Sequence, residues 1–271
     1  MPSQEVLSWI RQQFFPHVWC PGCGHGIIMH AMLRALVAEG KDPTKTVLAS
    51  GIGCSSRMPG YINTCTVHTT HGRSLAFATG IKHAKPELTV LDVMGDGDCS
   101  AIGGNHFIHA CRRNIDITAI VMNNNIYGMT GGQASPTTPP GSYATTTPYG
   151  AMDPTFDLCK LAEGAGASFV ARGTIANPVQ CEQLIRKGIQ NKGFSVIEIL
   201  SSCHTQYGRK NKRRRPIDNI NYFRENVVPL AKAKTMSPEE LEGKIVTGEF
   251  VSRPAPEYTE QYEKLIERVR G

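Results

Sequence analysis

A chain of 271 residues with 40% hydrophobic content is long enough to bury a sizeable core, and it reads as one large domain or a domain with an appendage. Its net charge of +6 is modest, and much of it sits in the run Arg209 to Arg215 (RKNKRRR), where no interleaved aromatic residues point to nucleic acid. No apolar run approaches the ~20 residues that a membrane-crossing helix needs, and the start MPSQEVLSWIRQQ lacks the basic-then-apolar layout of an export signal. These features predict a cytoplasmic protein that keeps its nine cysteines reduced and open to metal or redox chemistry.

In chain order, apolar spacing predicts a first helix over Gly26 to Glu39, ended by Gly40. A strand at Thr46 to Ser50 then leads into the glycine-rich turn GIG. LTVLDVM, Leu88 to Met94, is an almost continuous apolar run and predicts a strand covered on both faces. AIGGNHFIHACRR reads as a helix and Asp116 to Met122 as a second buried strand, which makes a parallel pair with a right-handed crossover. SFVAR and FSVIEIL repeat the pattern around a helix near residues 178 to 192. The expected fold class is α/β, a doubly wound and mostly parallel sheet.

Between these elements, Gly131 to Pro154 is dense in Gly, Pro, Ser and Thr, as lids and partner-contacting loops are. Beyond Arg215 the chain turns polar, with short helices expected near Pro238 to Gly243 and Glu257 to Arg270. The expected division is therefore a cofactor-binding domain over 1–215 and a tail or docking arm over 216–271.

The first buried strand ends in Gly95-Asp96-Gly97-Asp98 and the second in Asn123-Asn124-Asn125. Parallel strands carry ligands at their carboxyl ends, so both tips should face one crevice. Glycines at such a turn let a phosphate approach backbone N–H groups, yet two aspartates would repel a bare phosphate. A phosphate chelated to a divalent cation is held instead, and oxygen ligands from Asp96 and the Asn124 amide suit Mg²⁺. A dinucleotide site competes but fails at the third glycine, where Ser100 stands, and an ordinary glycine-rich turn is the bland reading. Separately, Cys20-Pro21-Gly22-Cys23 is a knuckle able to bind one metal centre, iron–sulfur or zinc.

GDG followed, 28 residues after its Asp, by the Asn of an NN pair resembles the thiamine-diphosphate motif. Its continuation IYGMTGGQ, together with WCPGCG near the start, SGIGCS at Ser50 to Ser55 and a late cysteine after the last strand, resembles the beta subunits of 2-oxoacid:ferredoxin oxidoreductases. The resemblance implies that Asp96, Asn124 and the Ile126 carbonyl bind Mg²⁺, and that Gly97, Asp98, Gly128 and Met129 contact the diphosphate. It implies that Cys20, Cys23, Cys54 and Cys203 ligate one 4Fe-4S cluster, and that Ile52, Gly53, Cys54, Ser55 and His71 lie along thiamine diphosphate.

Cys65, Cys99, Cys111, Cys159 and Cys181 match no ligand position and are expected to be small buried hydrophobes. Around SSRMPGY and NTCTVHTTHGR the sequence is most similar to 2-oxoglutarate enzymes, which makes Arg57 a candidate grip for a substrate carboxylate. The implied activity is reversible oxidative decarboxylation of a 2-oxoacid with coenzyme A and ferredoxin. An alpha subunit must then supply the second thiamine domain and the coenzyme A site, in a dimer of alpha-beta units with no nucleic-acid or membrane partner.

Overall fold

The structure is a computed structural model and describes residues 4–271. After a short helix α1 (Gln4–Ser8), helix α2 (His25–Ala38) leads to β1 (Thr46–Ser50) and β2 (Cys65–His68). Next come α3 (Ser74–Ala84), β3 (Thr89–Gly95), α4 (Gly104–Arg113) and β4 (Thr118–Asn123). A long irregular stretch precedes α5 (Leu158–Gly164), β5 (Phe169–Thr174), α6 (Pro178–Gln190) and β6 (Ser195–Leu200). The C-terminal region adds α7 (Pro216–Asn226), β7 (Val227–Pro229), α8 (Leu230–Ala233), α9 (Pro238–Leu241), β8 (Ile245–Ser252) and α10 (Tyr258–Arg270).

Local chemistry sets these boundaries. Helix α2 stops where Gly40 turns left-handed at φ +59°, and the Lys41 N–H then bonds back to the Leu36 carbonyl at 3.0 Å. Helix α6 starts where the Asn177 side chain accepts the Gln180 N–H at 3.1 Å and Pro178 fills a position that needs no donor.

The strands form one sheet in the order β2-β1-β3-β4-β6-β5-β8-β7. The run from β2 to β5 is parallel, and β8 joins β5 antiparallel. Every residue of β1 and β4 is buried, as a strand covered on both faces requires. On one face α2 and α6 bury Met32, Leu36 and Ile185 against Leu48, Leu91 and Ile120. On the other, α3, α4 and α5 bury Leu75, Phe107 and Leu158 against Val90, Ala119 and Val196. The α/β doubly wound expectation holds, and α1, β2, α3, α5, α7, β7, α8 and β8 are elements that residue patterning had not marked.

Residues 216–271, expected as an arm, are partly built into the sheet: β8 runs along β5, and the Glu257 carboxylate accepts the Asp116 N–H at 2.9 Å beside β4. Cys99, Cys111, Cys159 and Cys181 are buried as expected, whereas Cys65 is exposed. The reason is position, since β2 is an outermost strand and lacks a covering layer at that residue.

The functional consequence lies in the sheet order. Strands β1, β3, β4 and β6 are consecutive neighbours, so the loops after Ser50, Gly95, Asn123 and Leu200 open at one edge.

Candidate active site

A cleft of about 180 Å³, open to solvent on one side, lies at this edge. Ile52, Gly53, Cys54 and Ser55 line it from the β1 loop, Asp96, Gly97 and Asp98 from the β3 loop, and Asn124, Ile126, Gly128 and Met129 from the β4 loop, with His71 beside them. The residues expected along one cofactor therefore share one cleft. A β-carbon at Gly97 would stand 2.2 Å from the Tyr127 ring, so any larger residue there would displace that ring.

Three oxygen atoms converge in this cleft. Asn124 Oδ1 stands 3.2 Å from Asp96 Oδ1 and 2.7 Å from the Ile126 carbonyl, so acceptors face acceptors. Turning the amide lets its nitrogen donate to both and needs no ion; in the other orientation the Ile126 N–H reaches Asn124 Oδ1 at 3.3 Å and the three oxygens are left facing one another. That convergence fits a hard cation such as Mg²⁺.

The other Asp96 oxygen is anchored, accepting Ser135 Oγ at 2.5 Å and Thr137 Oγ1 at 2.7 Å. Burial pushes the Asp96 carboxyl above the usual range, and these two hydroxyls oppose the shift. Behind it Thr137 also touches Asn123, whose Nδ2 donates to the buried Glu198 at 2.7 Å, and Arg172 donates to Glu198 at 2.6 Å.

Asp98 plays a different part. One of its oxygens accepts the Gly72 N–H at 2.7 Å and the Ile52 N–H at 3.3 Å, clamping the β1 loop to the segment that carries His71. His71 Nδ1 lies 2.6 Å from the same oxygen without the alignment of a good hydrogen bond. Gly51 passes so close that a β-carbon would overlap this carboxylate. Burial raises the Asp98 carboxyl, opposed by the Gly72 N–H and by His71.

The four candidate ligand cysteines also gather here. In the knuckle the Cys23 N–H bonds to the Cys20 carbonyl at 2.9 Å. Thr205 Oγ1 lies 3.9 Å from Cys20 Sγ and 3.7 Å from Cys203 Sγ, and Cys23 Sγ faces the Ser202 carbonyl at 3.9 Å. A β-carbon at Gly128 would stand 3.3 Å from Cys203 Sγ and 3.8 Å from Cys54 Sγ. The buried Trp19 fixes the Cys54 loop by donating Nε1 to the Cys54 carbonyl at 2.6 Å.

Burial pushes the Cys23 thiol up to about 12; a backbone N–H from His25 opposes this, and Cys203, Cys54 and Cys20 add to it. Cys54 rises to about 11 by burial and the nearness of Cys203 and Cys20. Among the described residues no three His, Cys, Asp or Glu side chains are close enough to share a single metal ion. A 4Fe-4S cluster takes one thiolate per iron around a cube, and four thiols that share neighbours without closing on one point fit that demand.

The chain matches the model of the C-terminal TPP binding domain of thiamine pyrophosphate enzymes over residues 51–199. It is 56% identical to the 2-oxoglutarate synthase subunit KorB of Methanocaldococcus jannaschii over 266 residues, covering 98% of both chains. The chain belongs to the beta subunits of the 2-oxoacid:ferredoxin oxidoreductases. Within this family the subunit KorB of Archaeoglobus fulgidus is 48% identical, over 98% of this chain and 96% of that one. A solved 2-oxoglutarate:ferredoxin oxidoreductase from Magnetococcus marinus, with 2-oxoglutarate, coenzyme A and succinyl-CoA bound, superimposes with a TM-score of 0.89 at 35% identity, covering 100% of this chain and 92% of that one.

One candidate from the sequence stands apart. Arg57 is exposed on the tight helical turn Ser55–Tyr61 and is not among the residues lining the cleft. Conversely, Ser135, Thr137, Tyr127 and Thr205 are site residues that sequence reasoning missed. The only available signal was their place in or near polar loops after β4 and β6, where Ser and Thr are too common to stand out.

Proposed function

We propose that this chain is the thiamine-diphosphate- and iron–sulfur-binding beta subunit of a 2-oxoglutarate:ferredoxin oxidoreductase. It works in the cytoplasm with an alpha subunit, in a dimer of alpha-beta units. The observation that carries the proposal is the position of Cys54. Its loop lines the cleft that holds the oxygen triad, and its thiol neighbours Cys203 and Cys20. Cofactor and electron acceptor would then be neighbours on one chain.

Asp96 Oδ1, Asn124 Oδ1 and the Ile126 carbonyl would hold Mg²⁺, with Ser135 and Thr137 fixing the Asp96 rotamer. Gly97, Asp98, Gly128 and Met129 would flank the diphosphate, and Ile52 to Ser55 with His71 the rest of the cofactor. Cys20, Cys23, Cys54 and Cys203 would hold one 4Fe-4S cluster. When bound, thiamine diphosphate supplies the nucleophilic carbon for a 2-oxo group, Mg²⁺ neutralises its diphosphate, and the cluster takes electrons singly. The protein's own contribution is placement: the Asp98 clamp fixes two loops, and the glycines keep the cleft open.

Arg57 lies outside the cleft walls of this chain, so a grip on the distal carboxylate of 2-oxoglutarate requires the alpha subunit to bring the substrate to it. The relatives named as 2-oxoglutarate synthase subunits support that substrate. The test is anaerobic co-purification with the alpha subunit, followed by assay with 2-oxoglutarate, pyruvate and branched 2-oxoacids in the presence of coenzyme A. A brown complex with about four irons per beta chain and a preference for 2-oxoglutarate is expected. A colourless protein refutes the cluster, and a preference for pyruvate refutes the substrate.

A further inference from the structure

Resting on the proposed function, we infer that the loop Arg209 to Arg215 is the docking surface for an acidic one-electron carrier protein, with electrons leaving at the Cys20–Cys203 edge. The loop is tied to the cysteine group at both ends. At its start the Gly208 N–H bonds to the Cys203 carbonyl at 2.8 Å, and the Arg213 N–H closes on the Gly208 carbonyl at 2.8 Å. At its end Pro216 packs on Gly22 of the knuckle so closely that a β-carbon there would stand 2.3 Å from Pro216 Cγ. Any charge carried on this loop is therefore held close to Cys20, which is exposed, and to Thr205, which touches both Cys20 and Cys203.

The seven-residue run divides into fastened and free charges. Arg213 lies 3.8 Å above the Tyr222 ring centroid and donates to Tyr207 Oη, Lys210 donates to Thr145, and Arg215 pairs with Asp218 at 2.6 Å. Asn211 ties the loop to Tyr143 through two hydrogen bonds, of 2.8 and 2.9 Å. Arg209, Lys212 and Arg214 remain exposed and make no ion pair among the described residues.

Lys212 holds φ +59°, a left-handed conformation that a lysine adopts only against its preference. An asparagine or glycine would sit there more easily, so the loop presents a cation at a conformational cost. A rigid tripod of free cations beside the exposed edge of a redox centre suits a protein of opposite charge. A nucleic acid is the poorer fit, because the Tyr222 face beside the loop is already covered by Arg213.

The electron count matches such a partner. Oxidative decarboxylation of one 2-oxoacid yields CO₂, the acyl thioester of coenzyme A, one proton and two electrons. The loop therefore serves two carriers in turn, each reduced by one electron.

The test uses the full alpha-beta complex carrying Arg209→Gln, Lys212→Asn and Arg214→Gln, with Arg213 and Arg215 kept. Reduction of ferredoxin and of a small viologen dye is measured with the same 2-oxoacid across a salt series. Expected at low salt is a roughly tenfold fall in kcat/KM for ferredoxin and a flattened salt dependence, with iron content and viologen reduction unchanged. A control complex with Lys264→Gln, Arg268→Gln and Arg270→Gln on α10 loses the same charge and should behave as wild type. Unchanged ferredoxin kinetics in the loop variant, an equal loss in the control, or failure of the variant to assemble with the alpha subunit overturns the docking assignment. A wild-type complex that reduces neither acceptor overturns instead the functional reading on which it rests.

Discussion

The oxygen-lined and sulfur-lined halves of the cleft are built by different means: the loops after β3 and β4 deliver the oxygens, whereas the cysteines come from the loops after β1 and β6 and from the knuckle before α2. Around Asp96 the polypeptide has already arranged the donors: one carboxylate oxygen takes two hydroxyls, the other faces the Asn124 amide, and Glu198 steadies the supporting Asn123. Around the cysteines the contacts are long, between 3.7 and 3.9 Å for Cys20, Cys23 and Cys203, and burial pushes the Cys23 and Cys54 thiols up, which keeps them protonated. A hard cation can enter a finished cradle. Iron has to displace protons from thiols that the fold alone would keep neutral. The two centres should therefore fail in different ways.

Cys54 is where that difference should be largest. Cys54→Ser removes the one thiol whose loop also lines the cleft, so iron content should drop and ferredoxin reduction should be abolished. Oxygen-side loading, measured as thiamine diphosphate retained with Mg²⁺, should persist, because Asp96 and Asn124 are untouched. Full iron content in the variant would show that Cys54 is not a ligand, and loss of both cofactors would show that the halves are one cooperative unit. Thr137→Val probes the opposite side more gently. It deletes a 2.7 Å hydroxyl contact to Asp96 from outside the ligand set, and such supporting partners cost roughly 10- to 100-fold in metal affinity. Calorimetric titration with Mg²⁺ and thiamine diphosphate should show that weakening while iron content stays at the wild-type level.

How far the sequence foretold this molecule follows the same division. Almost continuous apolar runs such as Val90 to Met94, broken only by Asp92, fit strands covered on both faces, and they placed the sheet. GDG and NN at their ends located the oxygen centre, because chemistry of that kind requires particular residues at a strand tip. The four cysteines were assignable by resemblance, whereas spacing alone left iron–sulfur and zinc open. Ser135 and Thr137 could not be read at all, since their role depends on a loop returning across 39 and 41 residues to one carboxylate. Strand β8 was hidden because IVTGEFVS mixes polar and apolar residues, and it belongs to the sheet only through its pairing with β5. Arg57 is a different case: it does not line the cleft of this chain, and its proposed role depends on a substrate that the alpha subunit presents.

A second buried carboxyl on β3 supplies the smallest and cleanest test of why Asp96 is useful. Asp92 is fully buried near Ser74, yet neither of its oxygens has a hydrogen bond of good geometry. Burial pushes its carboxyl well above the usual value of 3.8; Ser74 offsets this in part, and Asp98 adds to it. The folded chain therefore holds a proton that the unfolded chain releases. Its contribution to stability is fully present below pH 3.8 and is lost as pH rises toward the raised folded value. Asp92→Asn keeps the shape and removes the ionisable group, so thermal unfolding at pH 8 should move up by a few degrees, with a smaller rise at pH 5 and little change below pH 3.8. An unchanged midpoint at pH 8 would mean that Asp92 has a partner which satisfies its charge. The contrast with Asp96 would then lie in the cation alone rather than in the donors that surround each carboxylate.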